Sequence, residues 1–518
     1  MPTATSSPEP ATQRSRAREA TRAARDVGHL LWFRTRTLPA ALLRAALALG
    51  AVSLLAAALV PALLPGAGDP RGAAPDLLEI LPGLLLGFLV VVAVTSAAAG
   101  GGYQLLPPGA AAIHPLSPTT DHLGALLVAP LNLAWVLQAW ILLALSAYAT
   151  GGSGRLVVTQ VVVALWIAVA TAAAQVMAWG VEALRRGPRG ALAVGVLAAL
   201  GVATVVALHL AALLVPLLAR PPTRWLVLGA TGSPGGAPWP LVVAVEVVAL
   251  LALVVLGAVP AHRAASRLPA AETRRDASVQ RPRREPRTAT GALLRLDRAS
   301  VWRAVPLRRG VLVLSAGPGL VALVGGVPWA SMSVLPSLVA SGGALLFGVN
   351  VWCLDAGGAL WRESLPVDPG TVFWVRAWVL VEFLAVAPLV CVAVAVSRAG
   401  RPTPGEVSAL VCSLVVVLAL VVTACLGWSQ RRPSSVDLRS ARATPVAPLL
   451  MLGYSARLAA GTTVVGVVFS VLAVLPGWQA PVLLAVPVLG VAVLRLLRQR
   501  RAWLDPARRS VVVAAVAG

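Results

Sequence analysis

The stretch Leu365-Pro366-Val367-Asp368-Pro369, with its earlier counterpart His114-Pro115-Leu116-Ser117-Pro118, organises this chain of 518 residues. Each stretch lies between the second and third long apolar runs of its half of the sequence. Pro115 and Pro366 stand 251 residues apart, which is close to half the chain length. Because repetition at a fixed spacing is typical of duplication, the sequence predicts that one helical unit occurs twice.

The composition indicates that these units lie in a membrane. Hydrophobic residues make up 58% of the chain and charged residues only 12%, about half the charged fraction of a soluble domain. The apolar residues form runs of roughly 20, long enough to cross the hydrocarbon core of a bilayer. We therefore expect an all-α polytopic membrane protein with about twelve transmembrane helices, arranged as two parallel-related six-helix halves.

The predicted spans divide the chain into five regions. These are a disordered cytosolic N-terminal tail (1–30), a first membrane half (31–260), a basic cytosolic linker (261–297), a second half (298–500) and a cytosolic C-terminal tail (501–518). The spans lie near 41–64, 78–99, 123–148, 157–181, 191–219 and 239–260, then 310–329, 335–354, 372–396, 406–428, 448–475 and 480–497.

The arginines predict the orientation of the spans. The net charge is +23, and all 43 basic residues are arginine. With the N-terminus inside, 33 of them fall in cytosolic segments and six in external ones, as the positive-inside rule requires. Both termini are therefore predicted to be cytosolic. The same asymmetry assigns the positive charge to anionic inner-leaflet lipid and excludes a nucleic-acid partner.

Few ionisable or strongly polar residues lie within the predicted spans, where they are costly and often functional. Glu246 and Glu382 lie in the sixth and ninth spans, and two interpretations remain open for each carboxyl: a role in a translocation path, or interhelical hydrogen bonding. A structural role is expected for His209 in the fifth span. Asn350 and Asp355, near the end of the eighth span, are predicted to cap that helix or to contact the loop that follows.

The chain carries no recognisable catalytic site. Without lysine it cannot form a Walker A motif, which uses a lysine to reach the nucleotide phosphates. The four cysteines have no C-x-x-C spacing and are expected to be buried apolar residues. We therefore predict that the chain is not an enzyme and binds no metal and no cofactor of its own.

The two proline-bracketed turns are predicted to end one helix and begin the next. Proline fixes φ, lacks an N–H donor and biases the residue before it away from helix. Ser117 or Asp121 in the first turn and Asp368 in the second are candidate N-caps for the following helix. Each turn is either a tight cytosolic corner or a short rigid element on which a partner acts.

These features resemble a type-2 ABC exporter permease in its actinobacterial form with two fused six-span halves. The resemblance lies in Ile113-His114-Pro115-Leu116-Ser117-Pro118 leading into residues 123–132, in Gly348-Val349-Asn350, and in residues 365–369 leading into Arg376-Ala377. It implies a bacterial plasma (inner) membrane location and the export of a substrate, driven by a separate ABC ATPase subunit that carries ATP and Mg²⁺. A homodimer is left open.

The resemblance also implies roles for particular segments. The loop between the second and third spans of each half would carry a coupling helix, so the ATPase would dock on loops 107–122 and 358–371. Residues 220–238 would fold partly back into the membrane. The coupling candidates are Pro115, Ser117, Pro118, Asp121, Pro366, Asp368 and Pro369.

Two other classes of function remain. A major-facilitator-type secondary transporter also has six plus six spans, and Glu246 and Glu382 would then carry protons. That class is expected to have an arginine-containing loop between spans two and three, but residues 100–122 contain no arginine. A non-transporting membrane scaffold would use the basic linker as its interaction surface.

Overall fold

The computed structural model describes residues 11–36, 40–98, 116–129, 133–213, 216, 220–267, 286–324, 327–397, 399–435 and 448–518. In these ranges the secondary structure is helical, without β-strands. The chain divides into two compact units, Met1–Val279 and Gln280–Gly518, and each has its own large hydrophobic core. The prediction of an all-α protein is confirmed.

The first unit is a bundle whose core lies between α3, α5, α6, α8 and α9. Large apolar side chains such as Leu81, Phe88 and Leu226 fill this core. In chain order its helices are α1 (Ala11–Arg36), α2 (Ala40–Leu59), α3 (Ala74–Ala98), α4 (Pro118–Val128), α5 (Leu133–Thr150), α6 (Leu156–Arg185), α7 (Gly190–Leu210), α8 (Arg224–Thr231), α9 (Trp239–Leu256) and α10 (Ala258–Ala265).

The second unit has its core around Phe347, Phe373 and Phe383. Between α14 and α15 lies a 3₁₀ segment, Gly348–Gly358, which is kinked at Asn350 and Ala356. In chain order its helices are α11 (Ala289–Arg303), α12 (Val305–Val324), α13 (Trp329–Met332), α14 (Val334–Leu346), α15 (Ala359–Glu363), α16 (Pro369–Val396), α17 (Pro404–Arg431), α18 (Pro448–Leu472), α19 (Gln479–Leu504) and α20 (Pro506–Ala517).

The order in which helices pack is similar within the two units. In the first unit α1 packs on α4, α2 on α5, α3 on α6 and α6 on α9. In the second unit α11 and α12 pack on α16, α14 packs on α17, and α17 packs on α19. Several pairings thus occur at similar places in the order of helices, whereas, among the described residues, the close packing of α14 on α18 has no comparable contact between α3 and α7.

Seven helical stretches among the described residues are long and apolar enough to cross a membrane, judged by length and composition. They are Ala74–Ala97, Leu156–Arg185, Trp239–Ala265, Trp329–Glu363, Pro369–Val396, Pro404–Arg431 and Gln479–Leu504. Five shorter apolar stretches of helix accompany them. These lengths support a membrane-embedded helical protein, and the number twelve stays a prediction.

The structure differs from the sequence expectation in the predicted tails. Instead of a disordered tail, residues 11–30 belong to α1, which buries Ala23 and Val27 and packs Val27 against Val128 of α4. This helix differs from the predicted disorder because the segment carries small or apolar residues at helical spacing, so that one face can pack. Residues 506–517 of the other predicted tail form α20, which buries Val512 and Val516. The cytosolic location of that segment stays a prediction.

The predicted linker, residues 261–297, is also helical at both ends. Ala261 and Ala264 are buried in α10, and Asp297 is buried in α11. Asp297 tolerates burial because two arginines pair with it, as described below. Residues 268–285 lie outside the described residues.

Residues 220–238, predicted to fold back among the spans, contain the short helix α8. Leu226 and Val227 of this helix lie in the core of the first unit, and the Thr223 hydroxyl donates to the Pro82 carbonyl over 2.5 Å. Gly229 is required here, because a Cβ atom would overlap the Val242 side chain and approach the Ala237 carbonyl. The segment therefore packs back against its own unit.

Candidate functional site

The second elbow, defined as residues 365–369, is a tight turn that starts α16. The Val367 N–H donates to the Leu365 carbonyl over 2.8 Å. The Asp368 carboxylate accepts the N–H of Thr371 over 2.8 Å, and this bond lowers the pKa of Asp368. Pro369 occupies the first turn of the helix, where its missing N–H costs nothing. The prediction that Asp368 is an N-cap is confirmed.

The first elbow, defined as residues 114–118, leads into α4 with the same type of cap. The Ser117 hydroxyl accepts the N–H of Thr120 over 3.0 Å, and Pro118 is in the first turn. Asp121 lies within the first turn, so Ser117 is the N-cap of the two candidates. Pro115 lies outside the described residues.

Helix α4 is joined by side chains to three other helices of its unit. The Thr119 hydroxyl donates to the Glu19 carboxylate over 3.1 Å and lies 3.0 Å from His262 Nε2. His122 is buried, and its Nε2 hydrogen-bonds the Val254 carbonyl over 3.1 Å. Burial lowers the pKa of His122, which favours the neutral imidazole. The first elbow is therefore connected to α1, α9 and α10.

A buried charge cluster lies directly behind the second elbow. It consists of Asp297, Asp355, Arg362 and Arg376, which come from α11, the 3₁₀ segment, α15 and α16. Arg376 Nε donates to Asp297 Oδ2 over 3.0 Å, and its Nη2 donates to Asp355 Oδ2 over 2.7 Å. Arg362 Nη1 donates to Asp297 Oδ1 over 2.7 Å and to Asp355 Oδ1 over 2.8 Å.

This cluster balances two positive charges against two negative ones. The side chain of Arg376 is 0% exposed and that of Asp297 is 1% exposed, so neither charge reaches water. Arg376 also donates to the Val351 carbonyl over 2.8 Å. Because a buried charge is stable only when paired and hydrogen-bonded, the four side chains require one another. The cluster therefore holds four chain segments in one arrangement.

A tryptophan pair joins α19 to the elbow. The rings of Trp352 and Trp503 stack with centroids 3.7 Å apart and planes 5° apart. Trp503 Nε1 donates to the Pro369 carbonyl over 3.1 Å, and the Arg376 guanidinium lies 5.5 Å from the Trp352 ring centroid. The second elbow is therefore in direct contact with α19 as well as continuous with α16.

A cavity of about 240 Å³ lies between the second elbow, the 3₁₀ segment and α20. One part of its wall is polar, with Asp355, Arg362 and Arg509, and the rest is apolar, with side chains including Val512 and Val516. Arg509 of α20 donates to Glu363 over 2.6 Å. The charged groups of the wall are already paired.

Helix α15 and the first residue of the second elbow expose large apolar side chains. Trp361 is 79% exposed, Leu360 is 59% exposed and Leu365 is 50% exposed. We call these three residues the elbow patch. It lies next to Arg362 and Glu363 of α15, so an apolar surface is carried directly on the element that the charge cluster holds.

The polar residues predicted within the spans lie in different surroundings. Glu382 of α16 is paired with Arg298 of α11, and Arg298 Nε donates to the Glu382 carboxylate over 2.8 Å. This contact agrees with interhelical hydrogen bonding, one of the two interpretations of Glu382. Glu246 is buried, and neither carboxyl oxygen has a hydrogen-bond partner among the described residues. Asn350 donates to the carbonyl and hydroxyl of Ser434, over 2.6 and 3.0 Å. His209 lies in α7.

Sequence analysis did not predict the charge cluster beyond Asp355. Asp297 was placed in the linker, Arg362 was counted only for orientation, and Arg376 entered only through the resemblance that residues 365–369 and Arg376-Ala377 carry. A signal was present in Arg376, because an arginine inside an apolar run needs an acidic partner. Which acid pairs with it depends on helix packing.

Comparison of the chain with protein-family models, with curated proteins and with solved structures found no match. Its function is therefore inferred from its own residues. Within the described ranges, no group of three or more His, Cys, Asp or Glu side chains is placed to hold a metal ion.

Proposed function

We propose that this chain is the membrane-spanning permease subunit of an ATP-driven transporter. A separate ABC ATPase subunit supplies the ATP and Mg²⁺ site and docks on the cytosolic loops 107–122 and 358–371. This division of labour follows from the absence of lysine, since a chain without lysine cannot complete a Walker A site.

The construction of the second elbow is the observation that carries this proposal. The preceding helix α15 exposes Trp361 and the elbow itself exposes Leu365, and tryptophan is among the residues most often found at the energetic centre of an interface. The inner side of the elbow is held by the charge cluster and by the bond from Trp503 to Pro369. A partner that moves the patch therefore moves α16 and α19 without first bending the elbow.

Because the proposed unit occurs twice in the chain, the first elbow is a second docking site for an ATPase subunit. In this proposal the two units are six-span halves that run parallel, with both termini on the cytosolic side of the bacterial plasma membrane. The similar order of helix packing in each unit and the matching caps at Ser117 and Asp368 support two equivalent elbows. Two ATPase subunits that approach each other on binding ATP would move both elbows.

The scarcity of charge in the spans indicates the kind of substrate. Charged residues make up 12% of the chain. Among the described residues, three of the four carboxylate or guanidinium side chains classed as buried, namely Glu182, Asp297 and Arg376, are already in ion pairs, so the helices offer mainly apolar surface. Such a surface suits a lipophilic or amphiphilic substrate better than an inorganic ion. Export is the direction that we propose.

Site-specific photo-crosslinking tests the docking. A photoreactive amino acid replaces Trp361 or Leu365 in the full chain, expressed with its natural partners, and crosslinked proteins are identified by mass spectrometry. We expect a P-loop ATPase to be crosslinked at both positions. The control position is Trp478, which is 55% exposed but lies in a connection predicted to be external. We also expect the double variant Trp361→Ala/Leu365→Ala to weaken ATPase association at least about tenfold.

The proposal is wrong if the purified chain hydrolyses ATP alone, if no ATPase accompanies it after mild solubilisation, or if the crosslinks form at Trp478 instead. Each outcome removes a different part of the proposal: the separate ATPase, its association with this chain, or the docking surface.

A proton-coupled secondary transporter is the second candidate, and the buried Glu246 favours it. A carboxyl without a hydrogen-bond partner inside a span is a typical proton carrier. Against it, Glu382 is held in an ion pair with Arg298. An uncoupler added while ATP is held constant distinguishes the two: proton-coupled transport stops, whereas ATP-driven transport continues.

A further inference from the structure

One face of α1 combines cationic and aromatic side chains. Arg22, Arg25, His29, Trp32 and Phe33 are exposed, and Trp32 and Phe33 are 56% and 60% exposed. Positions separated by three and four residues lie on one side of a helix. These five residues therefore form one stripe, which we call the α1 stripe.

The opposite face of α1 is committed to α4. Ala23 and Val27 are buried, and Val27 lies in one apolar cluster with Val128 and Leu123 of α4. Glu19 accepts the hydrogen bond from Thr119 in the first turn of α4. The helix therefore cannot rotate to hide the α1 stripe without losing these contacts.

The covalent connection to α2 sets the depth of α1. Helix α1 ends at Arg36 and the apolar helix α2 begins at Ala40. The three residues between them span at most about 10 Å. Trp32 and Phe33, in the last turns of α1, therefore lie close to the start of α2, which belongs to the predicted first span.

We propose that α1 is a lipid-binding helix whose stripe of Arg22, Arg25, His29, Trp32 and Phe33 contacts anionic phospholipid headgroups and, through α4, makes the position of the first elbow depend on lipid charge. The consequence for transport rests on the proposed function, whereas the lipid contact does not. The stripe lies on the side that the arginine count assigns to the anionic leaflet.

Charge and position together favour a lipid surface over a protein. Helix α1 contains seven arginines and only two acidic residues, Glu19 and Asp26. Its net positive charge is therefore complementary to a uniformly negative surface. Trp32 and Phe33 lie at the end of α1 that is nearest the first predicted span. Aromatic side chains are enriched at the membrane–water interface, where this end is expected to lie. An acidic protein partner would not need the aromatic pair at that depth.

Spin-label accessibility in nanodiscs tests the proposal on the full chain. Phe33→Cys is labelled in a Cys412→Ser background, since the other three cysteines are buried. The label's collisions with oxygen and with a water-soluble nickel chelate are compared in phosphatidylcholine and in the same lipid with added phosphatidylglycerol. A label at Arg508→Cys, an exposed site on α20, serves as the control.

We expect the label at position 33 to collide more with oxygen and less with nickel when phosphatidylglycerol is present, and added salt to reverse this. Replacing Arg22 and Arg25 by glutamine should weaken the bound state about fivefold for each arginine. Amide hydrogen exchange of residues 118–128 should slow in the anionic lipid and recover in the double variant. The control label should not respond.

Equal accessibility in both lipids overturns the proposal. So does a label that stays in water in both lipids and becomes protected only when an ATPase is added, which would assign the stripe to a protein. A lipid response of the label without any change in the exchange of α4 overturns the link to the elbow. Because the comparison of the two lipids is made without ATPase, a failure here is distinct from a failure of the proposed permease role.

Discussion

Single residues at the second elbow have two kinds of task. Arg376 is fully buried and pairs with Asp297 and Asp355, so its charge holds helices together and is not available to a substrate. Asp368 is exposed and acts locally, as the cap of α16. The ion pairs of Arg376 depend on residues distant in the chain, whereas the cap at Asp368 depends on its neighbours. Substitution and pH are therefore expected to affect the two residues differently.

Replacing Arg376 by methionine should destabilise the protein strongly. The change leaves Asp297 and Asp355 with only Arg362 as a partner, and an uncompensated buried charge costs about 3–5 kcal/mol. Thermal unfolding of the detergent-solubilised protein measures the effect. The matched control is Arg508→Met, which breaks an exposed ion pair with Asp505 worth at most about 1 kcal/mol. Equal losses for the two variants would contradict a special role for the cluster.

The cap at Asp368 should depend on pH. Because folding lowers the pKa of this carboxyl, its stabilisation is complete above the ordinary value of 3.8 and is lost as the pH falls through the lower folded value. Corrected for intrinsic rates, exchange of the Thr371 amide should therefore accelerate below about pH 4.

Two comparisons serve as controls for this prediction. The Thr120 amide, which is capped by the neutral hydroxyl of Ser117, should show no such acceleration. In Asp368→Asn the Thr371 amide should lose its pH dependence. If the Thr120 and Thr371 amides respond alike, the carboxyl is not the cause.

At the scale of elements, the first and last described helices each pack beside one of the elbows. Helix α20 covers one side of the second elbow, where Val512, Val513 and Val516 line the cavity and Arg509 pairs with Glu363 of α15. Helix α1 packs on α4, the helix that begins at the first elbow. Both helices lie in segments that the sequence analysis took for tails.

Loss of two buried methyl groups at a time should loosen α20. Each of the changes Val512→Ala and Val516→Ala should cost about 1–2 kcal/mol, and the double variant should raise amide exchange in Pro506–Ala517 more than tenfold. The control is Val511→Ala, because Val511 is 65% exposed and its truncation should change stability by less than about 0.5 kcal/mol. If the double variant and Val511→Ala show similar amide exchange in α20, this helix is not held by its apolar face.

At the scale of the whole molecule, two hydrophobic cores lie on one chain. The large core of the first unit uses residues from 54 to 243, and that of the second uses residues from 294 to 517. Neither core needs a side chain from the other unit. Folding of each unit is therefore supported by its own buried apolar area.

A chain divided between Val279 and Gln280 should still fold as two fragments. Since the cut leaves both cores complete, co-expressed fragments 1–279 and 280–518 should both insert into the membrane and resist protease in their helical ranges. Size-exclusion profiles and limited proteolysis of the detergent-solubilised fragments measure this. Aggregation of either fragment would show that its core depends on the other unit.

The sequence by itself determined the helical class, the apolar lengths and the elbow caps. Apolar runs and caps depend on nearby residues, as Ser117 with Thr120 and Asp368 with Thr371 illustrate. Only the tertiary structure decided that Arg376 pairs with Asp297, 79 residues away, that Glu382 pairs with Arg298, and that both predicted tails contain packed helices. Those outcomes depend on which helix faces which, and buried charges are satisfied by partners that the packing brings together, whatever their distance in the chain.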